Sequence, residues 1–491
     1  MADVTQSFAA TFVDELAVQG VEFACVSPGS RSAPIAMALQ RHPRIKVLVH
    51  IDERCGSFFA LGIGKATGRP AVVLSTSGTA AAEFHAAVVE ASYSRTPLIV
   101  LTADRPPELQ GVGANQAIDQ QHLYGSAPAW FFDPGVPVEI PNAARLWRRL
   151  AARAVAEAAS GPVHLNLPFR EPLVGPPGEI PSAEGAPAQS ATRGRMLPSQ
   201  AQVASLASAL QRAQRPLVVA GELREGERLA PALHRLGLPV LAEPTSQLRR
   251  AETGPVVESY EALPPVDRSA WREQWVSAGK RAAAAIAATL VSTPLHEGHV
   301  VKALANRMPD PGNLFIGSSM PIRAADSFWP PARPAQRFFA NRGASGIDGL
   351  VSSGLGVATA RNPAPTVLLL GDLSLYHDMN GLWALTRHGI RATLIVCDNN
   401  GGGVFNFLPQ AEHHDVFEEI FATPLGLDLS QVARLYGLVY SPVSDRSGLE
   451  PAIADAIAAP TPTMVVVRMK REDSVTGHRL CWEAAASALK S

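Results

Sequence analysis

The chain is constrained most by a set of short, wholly apolar runs, each ending in glycine or in polar residues. Ala71–Leu74, Leu98–Leu101, Val367–Leu370 and Leu394–Val396 are strand-sized and carry no alternating polar positions. Alternation marks a strand with one wet face, so its absence predicts strands covered on both faces, as in a parallel sheet packed between helices. Further strands are expected at Phe23–Val26, Val47–His50, Val163–Leu167, Leu314–Ile316 and Met464–Val467, with helical stretches between them, beginning with one near Gln6–Gln19. That rhythm predicts an α/β chain with two doubly wound parallel-sheet domains. The stretches Ala71–Leu101 and Val367–Val396 read as one strand–loop–helix–strand unit used twice.

A chain of 491 residues has room for about three domains. The expected bounds are 1–180, 195–290 and 291–491, with a Pro-, Gly-, Ala- and Ser-rich linker over 176–200. The middle domain is shortened. It offers strands at Arg215–Ala220 and Pro239–Ala242, whereas Arg249–Leu290 predicts only Pro-rich loop and alanine-rich helix. A two-stranded sheet is poor at independent stability, so either a longer middle domain has been lost or a stretch of it is missing from this sequence.

Net charge −1, with no block of like charges, argues against a nucleic-acid or anionic-membrane partner. No apolar run approaches the length of a membrane span, and Met-Ala-Asp-Val-Thr-Gln-Ser has neither a basic n-region nor an apolar h-region. Cys25, Cys55, Cys397 and Cys481 form no Cys-x-x-Cys pair and are expected to be reduced thiols of a cytoplasmic protein.

The chemistry is expected at the strand ends, because ligands of doubly wound sheets sit at the carboxyl edge. Gly371-Asp372 follows one apolar run and Asn399-Asn400-Gly-Gly-Gly403 follows another, 27 residues on (399 − 372). A carboxylate, an amide oxygen and carbonyls left accessible by glycine suit an octahedral Mg²⁺ that keeps positions for water and phosphate oxygens. A helix-capping Asp and an Asn-Gly turn are the bland reading of the same residues.

Gly371-Asp372-Leu-Ser374 with Asn399-Asn400 resembles the cofactor motif of thiamine diphosphate enzymes. Leu373 replaces the second glycine of the general motif, and one branch carries this Gly-Asp-Leu-Ser version: the 2-succinyl-5-enolpyruvyl-6-hydroxy-3-cyclohexene-1-carboxylate (SEPHCHC) synthases. Ser27-Pro-Gly-Ser-Arg-Ser32, Asp52-Glu-Arg54, Thr76-Ser-Gly-Thr79, Leu101-Thr-Ala-Asp-Arg-Pro-Pro-Glu-Leu109, Gly113-Ala-Asn-Gln-Ala117 and Asn341-Arg-Gly-Ala-Ser-Gly-Ile-Asp-Gly349 resemble the same family, in the same order.

The resemblance implies two thiamine-diphosphate-type domains flanking the shortened middle, with thiamine diphosphate held through Mg²⁺ or Mn²⁺. Asp372, Asn399 and the carbonyl of Gly401 are the implied metal ligands, and Ser374 and Gly78 are implied to lie at the cofactor with Arg342 and Ile347. Glu53 is implied as the catalytic carboxylate that protonates the aminopyrimidine so that C2 of the thiazolium can lose its proton; an apolar surround would raise its pKa and favour this. The family's cofactor lies between the N-terminal domain of one subunit and the C-terminal domain of another, which implies a homodimer or dimer of dimers with shared sites.

The implied substrates are 2-oxoglutarate and isochorismate, both dianions, and the implied pathway is that of menaquinone or phylloquinone. Ser30 and Arg31, which are expected to open a helix, Arg105, Asn115 and Gln116, and Ser319 and Arg323 all follow expected strands, and fork-shaped arginines suit carboxylates. Another thiamine diphosphate-dependent 2-oxoacid decarboxylase and a non-catalytic cofactor-binding relative stand as alternatives. His296-Glu-Gly-His299 is one residue short of the His-Glu-x-x-His zinc motif and reads as a helix start. His413-His414-Asp415 reads as a surface loop, and His85 and Trp383 as packing residues.

Overall fold

The computed structural model describes residues 4–176, 197–236, 238–249, 256–257 and 271–490. The chain forms two compact units: Met1–Gly194 with Asn341–Arg361 and Asp378–Gly389, and Arg195–Ala340 with Asn362–His377 and Ile390–Ser491. Most of the expected linker lies outside the described residues.

The first unit is built on six parallel strands, β1 (Phe23–Val26), β2 (Lys46–Val49), β3 (Ala71–Ser75), β4 (Leu98–Asp104), β5 (Trp130–Phe132) and β6 (Pro162–Pro168). Their order is β2-β1-β3-β4-β6-β5. Leu74, Ile99, Leu101 and Leu165 of the strands meet Phe8, Phe12 and Leu16 of the helix Val4–Val18 and Ala151 and Ala154 of the helix Ala143–Ala158 in one apolar core. The helix Glu53–Thr67 starts at the N-cap Asp52, whose side chain accepts from the Cys55 N–H, and stops at Gly68 in the left-handed region. Its inner face carries Gly62 because the helix Leu350–Ala360 comes so close: a Cβ at Gly62 would lie 2.0 Å from the Ser353 carbonyl oxygen.

The second unit contains β7 (Val218–Ala220), β8 (Val240–Ala242) and β9 (Val256–Val257), a small parallel sheet in that order. It also contains β10 (Gly312–Ile316), β11 (Gln336–Phe339), β12 (Thr366–Gly371), β13 (Thr393–Asp398), β14 (Val439–Val443) and β15 (Thr463–Arg468), ordered β11-β10-β12-β13-β15-β14. Numbered within itself, each six-stranded sheet runs 2-1-3-4-6-5, so the unit read twice in the sequence supplies the third and fourth strands of both.

The doubly wound α/β architecture agrees with the sequence reading, with differences at the margins. The edge strands β5, β11 and β14 are not predicted: β5 and β14 have exposed residues, β14 carries Pro442, and β11 has the half-buried Arg337 and Phe339. The middle region supplies a third strand, β9, where none is expected; two valines are too short a run to give a periodic signal. The helix expected to open at Ser30-Arg31 instead begins at Ala33, with Ser32 at its N-cap, and Arg31 is turned inward. His85 is exposed and lies edge-on to the Tyr124 ring, centroids 5.6 Å apart. His414 and Asp415 start a short helix on the surface.

Candidate active site

In the second unit, β12 and β13 end side by side, with Gly371 paired to Cys397. Asp372 therefore stands next to the loop that Asn399 begins. The Asp372 carboxylate accepts the Leu373 N–H at 2.8 Å and the Gly401 N–H at 2.7 Å. Burial pushes this carboxyl up to about 6, with the charge of Asp398 adding to the shift and the two N–H groups opposing it.

Gly401 has φ +133, and a Cβ there would lie 2.2 Å from the Ala422 carbonyl oxygen, so only glycine brings this backbone to the carboxylate. Asn399 is 8% exposed, and its Oδ1 is buried without a hydrogen-bond donor among the described residues. An acceptor without a donor among the described residues, beside a buried carboxylate, is the arrangement a small, hard cation completes. The residues present fit a metal–diphosphate group. Ser374, in the helix Asp372–His377, is buried directly beyond them.

Behind Asn399 lies a cluster that the sequence reading passed over. Glu297 begins the helix Glu297–Arg307, with His296 as its N-cap, so the His-Glu-Gly-His segment is a helix start. Glu297 is also a fully buried carboxylate. It accepts from Ser474 Oγ at 2.5 Å, with His478 Nε2 at 3.5 Å and Asn399 Nδ2 at 3.5 Å. Burial alone would raise its pKa, but His478 and Ser474 overcome this and hold it at about 2. Of the remaining expected residues in this unit, Ser319 follows β10 with φ +68, and the exposed Arg323 donates to the Ser319 carbonyl at 2.8 Å.

In the first unit, the other expected residues also lie beyond strand ends. Glu53 is the first residue of the helix after β2; burial raises its carboxyl above the ordinary value, and the charges of Asp52 and Glu83 add to this. Gly78 follows β3 at φ +84, where a Cβ would lie 2.8 Å from the Gln116 side chain, and its N–H is accepted by Gln120 at 2.9 Å. Asn115 and Gln116 are exposed, as is Ser30. Arg31 is 6% exposed; Nη1 donates to the Phe169 carbonyl at 2.8 Å, Nη2 lies 3.5 Å from Glu171, and Nε is buried without a partner among the described residues. Burial lowers the Arg31 pKa and the nearby charge of Arg105 lowers it further, while Arg105 itself donates to Ser77 Oγ.

The segment with Arg342 and Ile347 belongs to this unit and is fixed by a carboxylate that the sequence does not single out. Buried Glu90 accepts the N–H groups of Gly343, Ala344 and Ser345 at 3.0, 2.6 and 3.0 Å, with Lys65 Nζ at 3.3 Å. Burial would raise its pKa, but Lys65 and the three N–H groups hold it below the ordinary value. Arg342 is exposed and Ile347 half-buried. Thus the structure brings together Asp372, Ser374, Asn399 and Gly401 in one unit, and gathers Arg31, Ser77 and Arg105 in the other. All four cysteines are free and buried, and among the described residues no helix is long and apolar enough to cross a membrane.

Comparison with known proteins gives two family models: the thiamine pyrophosphate enzyme N-terminal TPP binding domain over residues 6–123 and the corresponding C-terminal TPP binding domain over 319–467. A 2-succinyl-5-enolpyruvyl-6-hydroxy-3-cyclohexene-1-carboxylate synthase of Geobacillus kaustophilus is 39% identical, covering 99% of both chains. Proteins of the same name from Geobacillus thermodenitrificans and Roseiflexus castenholzii are 37% and 36% identical, covering 98% or more of this chain and 98% of their own. The first alignment runs over 573 positions, so at least 82 of them (573 − 491) have no residue in this chain. Among solved structures, a Rhodococcus jostii RHA1 thiamine diphosphate-dependent 4-hydroxybenzoylformate decarboxylase superimposes with TM-score 0.74 at 17% identity, over 95% of this chain and 100% of its own. That likeness concerns the fold.

Proposed function

Since the chain belongs to the family of thiamine diphosphate-dependent SEPHCHC synthases, we propose that it joins 2-oxoglutarate to isochorismate with loss of CO₂, in the making of menaquinone or phylloquinone. The observation that carries the cofactor part of this reading is the buried Oδ1 of Asn399, without a donor among the described residues, in the loop that meets Asp372 at Gly401. Asp372, Asn399 and the Gly401 carbonyl would hold Mg²⁺ or Mn²⁺, and Ser374 and the Gly401–Gly403 backbone would receive the diphosphate. When bound, thiamine diphosphate supplies a nucleophilic carbon and an electron sink for decarboxylation of a 2-oxo acid.

The protein's own residues supply proton control and charge. Glu53, whose carboxyl burial raises above its ordinary value, would share a proton with the aminopyrimidine nitrogen. Arg342 and Ile347 would line the cofactor from a segment that Glu90 anchors. Arg31 and Arg105 place two cations close enough to repel, an arrangement that a dianionic substrate relieves. Ser30, Asn115 and Gln116, with Ser319 and Arg323, provide further donors for the carboxylates and hydroxyls. Glu53 and Asp372 would serve one cofactor from two subunits of a homodimer or a dimer of dimers, in the cytoplasm.

The decarboxylase alternative is not favoured, because the likeness to a decarboxylase is one of fold at 17% identity, while the synthases match at 36–39% over nearly full length. The test is isochorismate consumption with 2-oxoglutarate and Mg²⁺, with and without thiamine diphosphate. Consumption that needs both 2-oxoglutarate and cofactor is expected. Release of succinic semialdehyde with isochorismate untouched would make the chain a simple decarboxylase.

A further inference from the structure

Most of the metal-site residues argued above act through their own atoms, but the orientation of Asn399 has to be set by something else. A side-chain amide offers an acceptor on one side and two donors on the other, and turning it over exchanges them. A metal accepts only the oxygen side. Asn399 is anchored at the end of β13, and the group facing its Nδ2 is the Glu297 carboxylate, Oε1 at 3.5 Å. An ionised carboxylate has acceptors only, so it draws the amide nitrogen toward itself and leaves Oδ1 facing away, without a donor.

Glu297 is in turn immobilised. Ser474 and His478 lie four residues apart on one face of the helix Arg471–Lys490 and hold Oε2, at 2.5 and 3.5 Å. Gly403 makes room for the amide: a Cβ there would fall 2.4 Å from Asn399 Nδ2.

The same cluster places ligand atoms of His296, Glu297 and His478 within 4.8 Å of one another, which raises the question of a second metal. Two of its three members are already engaged, while His478 has no hydrogen-bond partner among the described residues and keeps Nε2 3.5 Å from Glu297 Oε2. His296 Nδ1 accepts the Gly298 N–H at 3.1 Å, His296 Nε2 lies 3.3 Å from Thr293 Oγ1, and Glu297 Oε2 takes the Ser474 hydroxyl. We propose that Glu297 is a positioning residue which, braced by Ser474 and His478, fixes Asn399 with its oxygen toward the metal. Outer-shell partners of this kind typically change metal affinity about 10- to 100-fold.

This inference rests on the metal–diphosphate reading of Asp372 and Asn399, and the experiment separates the two. Mg²⁺ is titrated into the purified protein with thiamine diphosphate present, and binding is read by calorimetry, independently of turnover. If the parent protein binds no Mg²⁺, the metal reading itself fails. If it binds, E297Q is expected to weaken Mg²⁺ about 10- to 100-fold, because a glutamine amide can offer N–H to Asn399 Oδ1 and turn the ligand over. N399D is also expected to weaken it, by setting two carboxylates against each other.

The exchanged pair E297Q/N399D restores one donor and one acceptor, and should recover most of the loss that N399D causes. Equal Mg²⁺ affinity in E297Q and parent, or a double variant no better than N399D, overturns the proposal. If E297Q does not fold, S474A carries the test: it loosens Glu297 without removing the charge, and unchanged Mg²⁺ affinity there is equally fatal. Zinc retained after chelation, and lost in H478Q, would assign the cluster to a second ion and also overturn it.

Discussion

The two six-stranded sheets share one strand order but treat the ends of their third and fourth strands in opposite ways. In the first unit the last paired residues of β3 and β4 are Ser75 and Thr102; in the second the last pair of β12 and β13 is Gly371 and Cys397. Counting two residues onward places Asp104 and Asn399 at matching positions. Asp104 is fully engaged by its own protein: it accepts from Asn166 Nδ2 at 2.8 Å, the Arg105 N–H at 2.7 Å and Gln110. Asn166 is held in turn by Gln120 and Thr102.

Asn399 presents a buried oxygen that nothing in the described chain satisfies. Burying a polar atom without a partner costs about 1–3 kcal/mol, a cost that a bound cation would remove. The same topology thus yields a closed polar network at one strand end and an unsatisfied buried oxygen at the other. On the proposed reading the metal goes to the end with the unsatisfied atom, a distinction that the shared strand order does not make.

The division of labour this implies can be broken most sharply at Glu53. Glu53→Gln is expected to lower kcat by about 10²- to 10⁴-fold, the usual worth of a positioned proton-transfer group, with Mg²⁺-dependent cofactor binding unchanged. Proton exchange at C2 of the bound cofactor, followed by NMR, reads this directly. Normal exchange would remove Glu53 from the chemistry and leave the first unit with a substrate role only.

A second contrast sets the matching strand ends against each other. Asp372→Ala should weaken Mg²⁺-dependent cofactor binding by more than about 100-fold, above the range of outer-shell changes. Asp104→Asn should leave that binding alone and lower stability by about 1–3 kcal/mol through its broken hydrogen bond to Asn166. Calorimetric titration and thermal melts on both variants distinguish the cases. If Asp104→Asn impaired metal binding as much as Asp372→Ala, the contrast between closed and open ends would be lost.

The sequence revealed those features that follow from local composition. The inner strands β3, β4, β12 and β13 are legible because burial on both faces demands unbroken apolar runs. The edge strands β5, β11 and β14 are not, since an edge strand tolerates the half-buried Arg337 or Pro442 and loses its pattern. Asp372 and Asn399 are legible as a motif because each ends a recognisable strand.

Glu297, Glu90 and Asp378 are not, because their partners are remote in the chain. Glu297 meets Ser474 across 177 positions and Glu90 meets Ala344 across 254. Asp378, whose carboxyl burial pushes up to about 6, receives Cys55 Sγ across 323 positions. A buried carboxylate draws its role from what folding brings to it, and a linear pattern does not hold that information.

Glu90 offers the mildest test, and one whose pH dependence has a definite sign. Its carboxylate is held below its ordinary pKa of 4.5 by Lys65 and three backbone N–H groups, against the cost of burial. A depressed carboxylate contributes stability that is present above the unfolded value and lost as pH falls through the folded one. The parent protein should therefore lose stability below about pH 4.5 partly through Glu90, as the segment bearing Arg342 and Ile347 is released. Glu90→Gln should lower stability at pH 7 by about 1.5–3 kcal/mol, the range for hydrogen bonds to a charged group, and flatten the acid limb of the melting profile. An acid limb unchanged in the variant would mean that other carboxylates govern it. The anchoring of Gly343–Ser345 by Glu90 would then be a local contact without weight in the stability of the first unit.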